Sequence, residues 1–469
     1  MYQTVAADFI IIGVALLYFK SLFSLNTLRK IYSNKTWLDG KLQPATVCFE
    51  NGVIRSIHPV KLEGAEDVGD NIVMPGVIDA HVHINEPGRT DWEGFETATQ
   101  AAAAGGSTSI VDMPLNSSPV TTSLQAFHDK LNASTGKMNV NCGFYAGLVP
   151  GNSRALEEMM QAGVLGVKCF LTHSGIDEFP NVTETDLDEA MPIIARYGIP
   201  LLAHCELDGA AINDMEKDPT SYAAFLVSRP KQWENSAIEM MIRLCRKHRC
   251  PVHIVHVSSA EALPLISAAK KEGLPLTAET CAHYLYFNAE QIPDATCIYK
   301  CAPPIREHEN NHQLKEALRT GVLDFITTDH SPAPPDLKEI ESGNLAKAWG
   351  GIAGIQFLLT AAWTSIKEMM TLEQFIPLVT EHPAKFLGVA EKKGSIAAGY
   401  DADLVIWNPA EKHSSNKEDI LFRHKISPYI GHEFYGTVQQ TIVNGITVYK
   451  DNTIINKNAG QWLLHPSKK

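Results

Sequence analysis

"VMPGVIDAHVHINEPG", residues Val73–Gly88, decides how the rest of the chain is read. An apolar run carries Asp79 and ends in His81 and His83. In an extended strand alternate side chains share a face, so both histidines project to one side and can reach one ion. Imidazole and carboxylate ligands suit zinc and its neighbours. The pair alone is a weak signal, because a histidine at a strand end is more often a capped or surface residue.

Outward from this stretch, residues 74–387 alternate short apolar strands with amphipathic helical segments. "STSIVDMP" precedes "TTSLQAFHDKLNAS", "VLGVKCFL" precedes "ETDLDEAMPIIARYG", and "CPVHIVHVSS" precedes "AEALPLISAAKKEG". That alternation predicts parallel strand–helix–strand units with both sheet faces covered. Enough units recur for an α/β fold of the (β/α)₈ TIM-like barrel type, whose site lies at the carboxyl ends of its strands. Reading each strand to its end collects His81, His83, Lys168, His204, His256 and Asp329. One such residue has a bland explanation. Six at successive strand ends would need six independent ones. His253 shares the face of His256 but lies deeper, and reads as packing. Lys168 is the anomaly, since an ammonium would repel a metal. As a neutral amine it could take up carbon dioxide and become an anionic carbamate that bridges two ions.

Both chain ends read as β-rich. Asp39-Gly40, Asn51-Gly52 and Asn444-Gly445 are hairpin signals between strand-like runs. Residues 28–73 and 388–455 are therefore expected to form one small β domain, a sandwich built from both ends, with 456–469 as a C-terminal tail. Residues 1–27 form a hydrophobic extension. Its core, "FIIIGVALLYF" (Phe9–Phe19), is eleven residues without a charge, short of the about 20 needed to span a bilayer. A short membrane anchor and a plain extension remain two readings of it. As an anchor it would leave the body in the cytosol or an organelle matrix, because Lys20, Arg29 and Lys30 follow the run and no basic residue precedes it.

Composition sets the remaining bounds. The 469 residues are 45% hydrophobic and carry a formal charge of -13, without a basic stretch, which argues against a nucleic-acid partner. Nine cysteines are scattered singly, so free thiols are expected rather than a disulfide framework.

The order HxH, Lys, His, His, Asp resembles the cyclic amidohydrolases: dihydroorotases, dihydropyrimidinases or hydantoinases, and allantoinases. "PGRTDWEGFETATQAAAAGGSTSIVDMPLNSSP", "SGIDEFP", "ETCAHYLYF", "KCAPPIR", "TTDHSP" and "AWGGIAGIQF" are most similar to the allantoinase branch. One departure is Ala282, where that branch has proline. The resemblance spans about Leu28 to Asp451. It implies hydrolytic ring opening of allantoin to allantoate in purine catabolism, two Zn²⁺ ions, and a homotetramer. It also implies roles: His81 and His83 on the more buried zinc, carboxylated Lys168 bridging, His204 and His256 on the second zinc, and Asp329 as ligand and proton shuttle. Asn116, Ser331 and Ala302 are candidate substrate contacts. Asn85 stands where dihydroorotases place an arginine for the substrate carboxylate, so it is expected to select against dihydroorotate. A dihydropyrimidinase-like hydrolase is the alternative, and a non-catalytic structural relative a more distant one.

Overall fold

Eight parallel strands follow one another along the chain: Val77–Val82, Ser107–Asp112, Asn141–Phe144, Val167–Phe170, Leu201–His204, Val252–Ile254, Leu276–Cys281 and Phe325–Thr327. The computed structural model describes residues 28–209 and 214–465. Neighbouring strands pair in parallel. Between the third and fourth, the amides of Leu165 and Ala146 bond across at 2.9 and 3.0 Å. The ring closes where Val82 bridges His330 and the His83 amide donates to the His330 carbonyl at 2.8 Å. This is the α/β barrel expected from the strand–helix alternation.

The barrel strands are buried on both faces, which is why their sequences run apolar instead of alternating. Ile78, Val111, Leu202, Val255 and Phe325 belong to one buried cluster. A helix follows nearly every strand and covers the outside. Glu184–Tyr197 shows how the sequence sets such a helix. Thr183 and Asp186 form a reciprocal capping box at its start, and Gly198 at φ 71 closes its end.

The chain ends meet in one nine-stranded sheet. Its order runs Thr453–Ile454, Ile446–Lys450, Glu433–Val443, Leu404–Ser414, Ile72–Pro75, Arg29–Leu38, Lys41–Glu50, Val53–His58, with Glu66–Asp67 beside Arg29–Leu38. The three Asx-Gly pairs each form a two-residue turn with both residues at positive φ, the type that matches strand twist. The sheet folds back on itself. Ala402 donates to the Gly52 carbonyl at 2.7 Å, and Gly445 to the Ala402 carbonyl at 2.9 Å. Ile31, Val47, Phe49, Leu404 and Ile442 fill the space between.

The segment read as a tail is laid against the barrel. Trp462–Leu463 pairs with Cys142–Gly143. Gly460 lies so close to the third barrel strand that a Cβ there would meet the Val140 carbonyl at 2.0 Å. All nine cysteines are buried and unpaired. The apolar run Phe9–Phe19 lies outside the described residues. Among those described, no helix is long and apolar enough to cross a membrane.

Candidate metal centre

The six residues at the strand ends line a single cavity of about 310 Å³ at the carboxyl end of the barrel. The side chains of His81, His83 and Asp329 converge, each with a ligand atom within 4.8 Å of the others. The neighbours of each histidine decide what it can offer. His81 Nδ1 lies 2.6 Å from Glu279 Oε1, and His83 Nδ1 lies 2.8 Å from the Leu115 carbonyl. Both partners are acceptors, so in each neutral ring Nδ1 carries the hydrogen and Nε2 the lone pair. Those two Nε2 atoms face Asp329 Oδ1 at 3.2 and 3.4 Å. Three buried acceptors with no proton among them fit a cation.

A second pair repeats the logic. His204 Nε2 donates to Glu206 Oε2 at 2.8 Å, which leaves the Nδ1 lone pair 2.9 Å from His256 Nε2. His256 Nδ1 is buried without a hydrogen-bond partner. Lys168 lines the same cavity as both groups. Its ammonium lies 5.0 Å from the centre of the Phe170 ring and enters no ion pair among the described residues. Burial pushes it down to about 8, against the pull of Asp329. Two imidazole pairs and a lysine whose ammonium is weakened by burial suit two divalent ions and an anionic bridge.

The carboxylates behind the site hold these rings in place. Glu279 is fully buried and shared: Oε1 takes His81 and Oε2 takes His253 Nε2 at 3.1 Å. Burial would raise its carboxyl, yet His81 and His253 hold it down at about 2. His253, read from the sequence as packing, is thus also a hydrogen-bonding support, itself fixed by Thr277 Oγ1 at 2.7 Å. Glu206 accepts from Arg229 as well as from His204, and the pair stays ionised in a buried place. Asp79 accepts from Thr328 Oγ1 at 2.5 Å and ties the first strand to the last one, just before Asp329.

Asp329 (φ 46), His256 (φ 40) and Asn85 (φ 66) all hold left-handed backbone. Such conformations cost energy for residues other than glycine and gather at sites that need a fixed side-chain direction.

Of the proposed substrate contacts, Asn116, Ser331 and Ala302 line the cavity and Asn85 does not. The positive φ turns Asn85 away behind Asn116. There its Oδ1 accepts from Asn116 Nδ2 at 3.4 Å and its own amide reaches the Pro332 carbonyl at 3.4 Å. Asn85 thus stands one residue behind the cavity wall, against Asn116. The wall also holds cations that strand-end reading missed: Arg229, Lys300 and, exposed at the rim, Lys347. Arg229 is committed to Glu206, and the Lys300 ammonium donates to the Ala348 carbonyl at 2.6 Å. Neither lies at a strand end, which is why the pattern carried no signal for them.

The comparisons with known proteins agree with this geometry. A model of the amidohydrolase family matches residues 72–448. The allantoinase of Saccharomyces cerevisiae is 39% identical, over 93% of this chain and 99% of that protein. The allantoinase of Arabidopsis thaliana is 43% identical, over 82% and 79%. The solved L-hydantoinase (dihydropyrimidinase) of Arthrobacter aurescens superposes with a TM-score of 0.87 at 29% identity, over 94% of this chain and all of that one (100%).

Proposed function

The chain belongs to the amidohydrolase family, and from that premise we propose that it hydrolyses the cyclic amide of allantoin to give allantoate. The observation that carries this reading is the convergence of four histidines, Lys168 and Asp329 on one cavity, in a chain similar to allantoinases over most of its length.

In this reading His81, His83 and Asp329 hold one divalent ion, zinc in our assignment, and His204 and His256 hold a second. Lys168 Nζ, once it had added to the carbon of carbon dioxide and lost a proton, would be a carbamate able to supply an anionic ligand to both ions. Bound there, such a pair of ions supplies an activated water and polarises the scissile carbonyl. The chain's own groups do the rest. Asp329 Oδ accepts a proton from the attacking water and returns it to the departing ring nitrogen. Asn116 and Ser331 offer an amide and a hydroxyl to a neutral, urea-like ring, and the Ala302 segment forms the facing wall. Asn85 holds Asn116 in position. Arg229, neutralised by Glu206, orients His204 and adds no free cation for a carboxylate substrate.

The test is hydrolysis of allantoin, dihydrouracil and dihydroorotate measured side by side. The kcat/KM for allantoin is expected to exceed the others by about a hundredfold or more, because unmatched polar groups in a closed site are rejected strongly. The likeness to a solved hydantoinase favours dihydropyrimidinase-type hydrolysis as the second reading. Equal or better turnover of dihydrouracil would select it. Glu279→Gln should weaken metal affinity roughly 10–100-fold, the usual effect of losing the carboxylate behind a ligating histidine. Metal content after dialysis reads it directly, and unchanged retention would remove Glu279 from the centre.

A further inference from the structure

Residues 331–351 leave the last barrel strand and return beside it, where His330 and Ile352 pair as an isolated parallel bridge. Within this excursion the usual burial is inverted. Lys338 is 4% exposed, while its neighbours Leu337 and Ile340 are 39% and 40% exposed. A lysine is almost never fully buried without a partner. Lys338 forms no ion pair among the described residues and donates instead to three backbone carbonyls: Lys300 at 3.2 Å, Trp349 at 3.0 Å and Gly351 at 2.8 Å. An ammonium has three hydrogens, so its donors are used in full.

Those carbonyls belong to two segments that wall the metal-centre cavity. Lys300 and Ala302 line it from one, and Ala348, Trp349 and Gly350 from the other. The two are also tied directly, by the Gly351 amide to the Lys300 carbonyl at 2.9 Å and by the Lys300 ammonium to the Ala348 carbonyl at 2.6 Å. The Trp349 amide donates to the Leu337 carbonyl at 2.7 Å, which fastens the residue beside Lys338 to the same wall. A leucine at position 338 would fill the space. Only a group with three donors gathers three carbonyls at one point. Removing the ammonium takes that donor from all three, and buried acceptors so deprived are relieved by moving toward water.

We propose that Lys338 is a positioning residue for the cyclic substrate: its ammonium holds segments 300–302 and 348–351 together as one wall of the cavity and thereby sets how tightly the ring is bound. This rests on the reading of that cavity as the site of ring opening. Lys338 is not itself part of the cavity lining, and it donates to none of the six residues at the strand ends. Its removal therefore loosens the wall and leaves the metal ligands in their own networks.

Two variants test this. Lys338→Met keeps the length of the side chain and no donor, and Lys338→Gln keeps two donors on a shorter chain. The metal-loaded proteins are assayed on whichever of allantoin and dihydrouracil the unmutated enzyme opens faster, so failure of the allantoin reading leaves this test standing. Lys338→Met is expected to raise KM about tenfold or more, the kind of loss that follows a small displacement of positioning groups, with Lys338→Gln in between. Metal content should be unchanged and kcat should fall far less than KM rises, the pattern of binding lost equally from ground and transition state. Lys338→Gln carries the test if Lys338→Met does not fold. A lowered Tm with KM unchanged, or metal content and kcat falling as far as KM rises, makes Lys338 a structural tie alone and overturns the proposal.

Discussion

Lys168→Ala is expected to lose the paired metal and nearly all turnover, while a short carboxylic acid added to the variant restores part of both. The physical ground is the position of this ammonium. It is buried, lies among four histidines, and pairs with no carboxylate among the described residues. A charged group in such a place is costly unless it is neutralised or converted. As a carbamate it becomes the anion that a pair of divalent ions requires. Alanine removes that anion and leaves a void of the same outline, into which acetate or propionate fits. The loss should exceed the roughly 10–100-fold typical of a group that merely orients a ligand. Metal analysis and kcat, each with and without the added acid, read the two effects separately. Two metals retained with full turnover and no acid present would end the bridging role. Loss without any rescue would make Lys168 a packing residue whose removal disturbs the core.

The second large effect is expected at Asp329. Asp329→Asn should lower kcat by about 10²–10⁴-fold, the range for a positioned general acid–base group. The fold should persist. Asparagine tolerates the left-handed backbone that Asp329 adopts at φ 46. The segment is also held independently, by the Thr328 bonds to Asp79 and the His83 bond to the His330 carbonyl. Burial alone would raise the Asp329 carboxyl. His81, His83 and His256 outweigh it and keep the group well below the usual carboxylate range, so in the metal-free chain it remains an anion. The amide keeps the shape but can neither take the proton nor carry the charge. Circular dichroism and metal content separate loss of chemistry from loss of structure. Near-normal kcat with a full metal complement would move the proton shuttle to another group.

The parts of the site legible in the sequence are those that obey a local rule. His81 and His83 lie two apart on a strand, and the period of two places them on one face without reference to the rest of the chain. His204, His256 and Asp329 each end an apolar run and Lys168 is carried within one, and a parallel barrel brings such strands' ends together. The three Asx-Gly turns were readable for the same reason: both residues of each turn need positive φ, and the residue types announce it. The groups that support the site obey no such rule. Glu279 lies 198 residues from His81 and Arg229 lies 23 from Glu206, and nothing local in either position marks its partner.

Asn85 shows the boundary within two residues. Continued past His83, the alternation would place Asn85 on the same face, but the strand ends at Val82, and the family resemblance alone had singled Asn85 out. At φ 66 the backbone leaves the extended form, and the period of two ceases to apply. By itself, then, the sequence determined the barrel, the residues at its strand ends and the β-rich character of the two chain ends, because hydrophobic periodicity and turn chemistry act over a few residues. Tertiary structure alone decided which groups face the cavity and which carboxylates hold the histidines. Those outcomes depend on side chains far apart in the chain, whose meeting is set by the packing of whole elements.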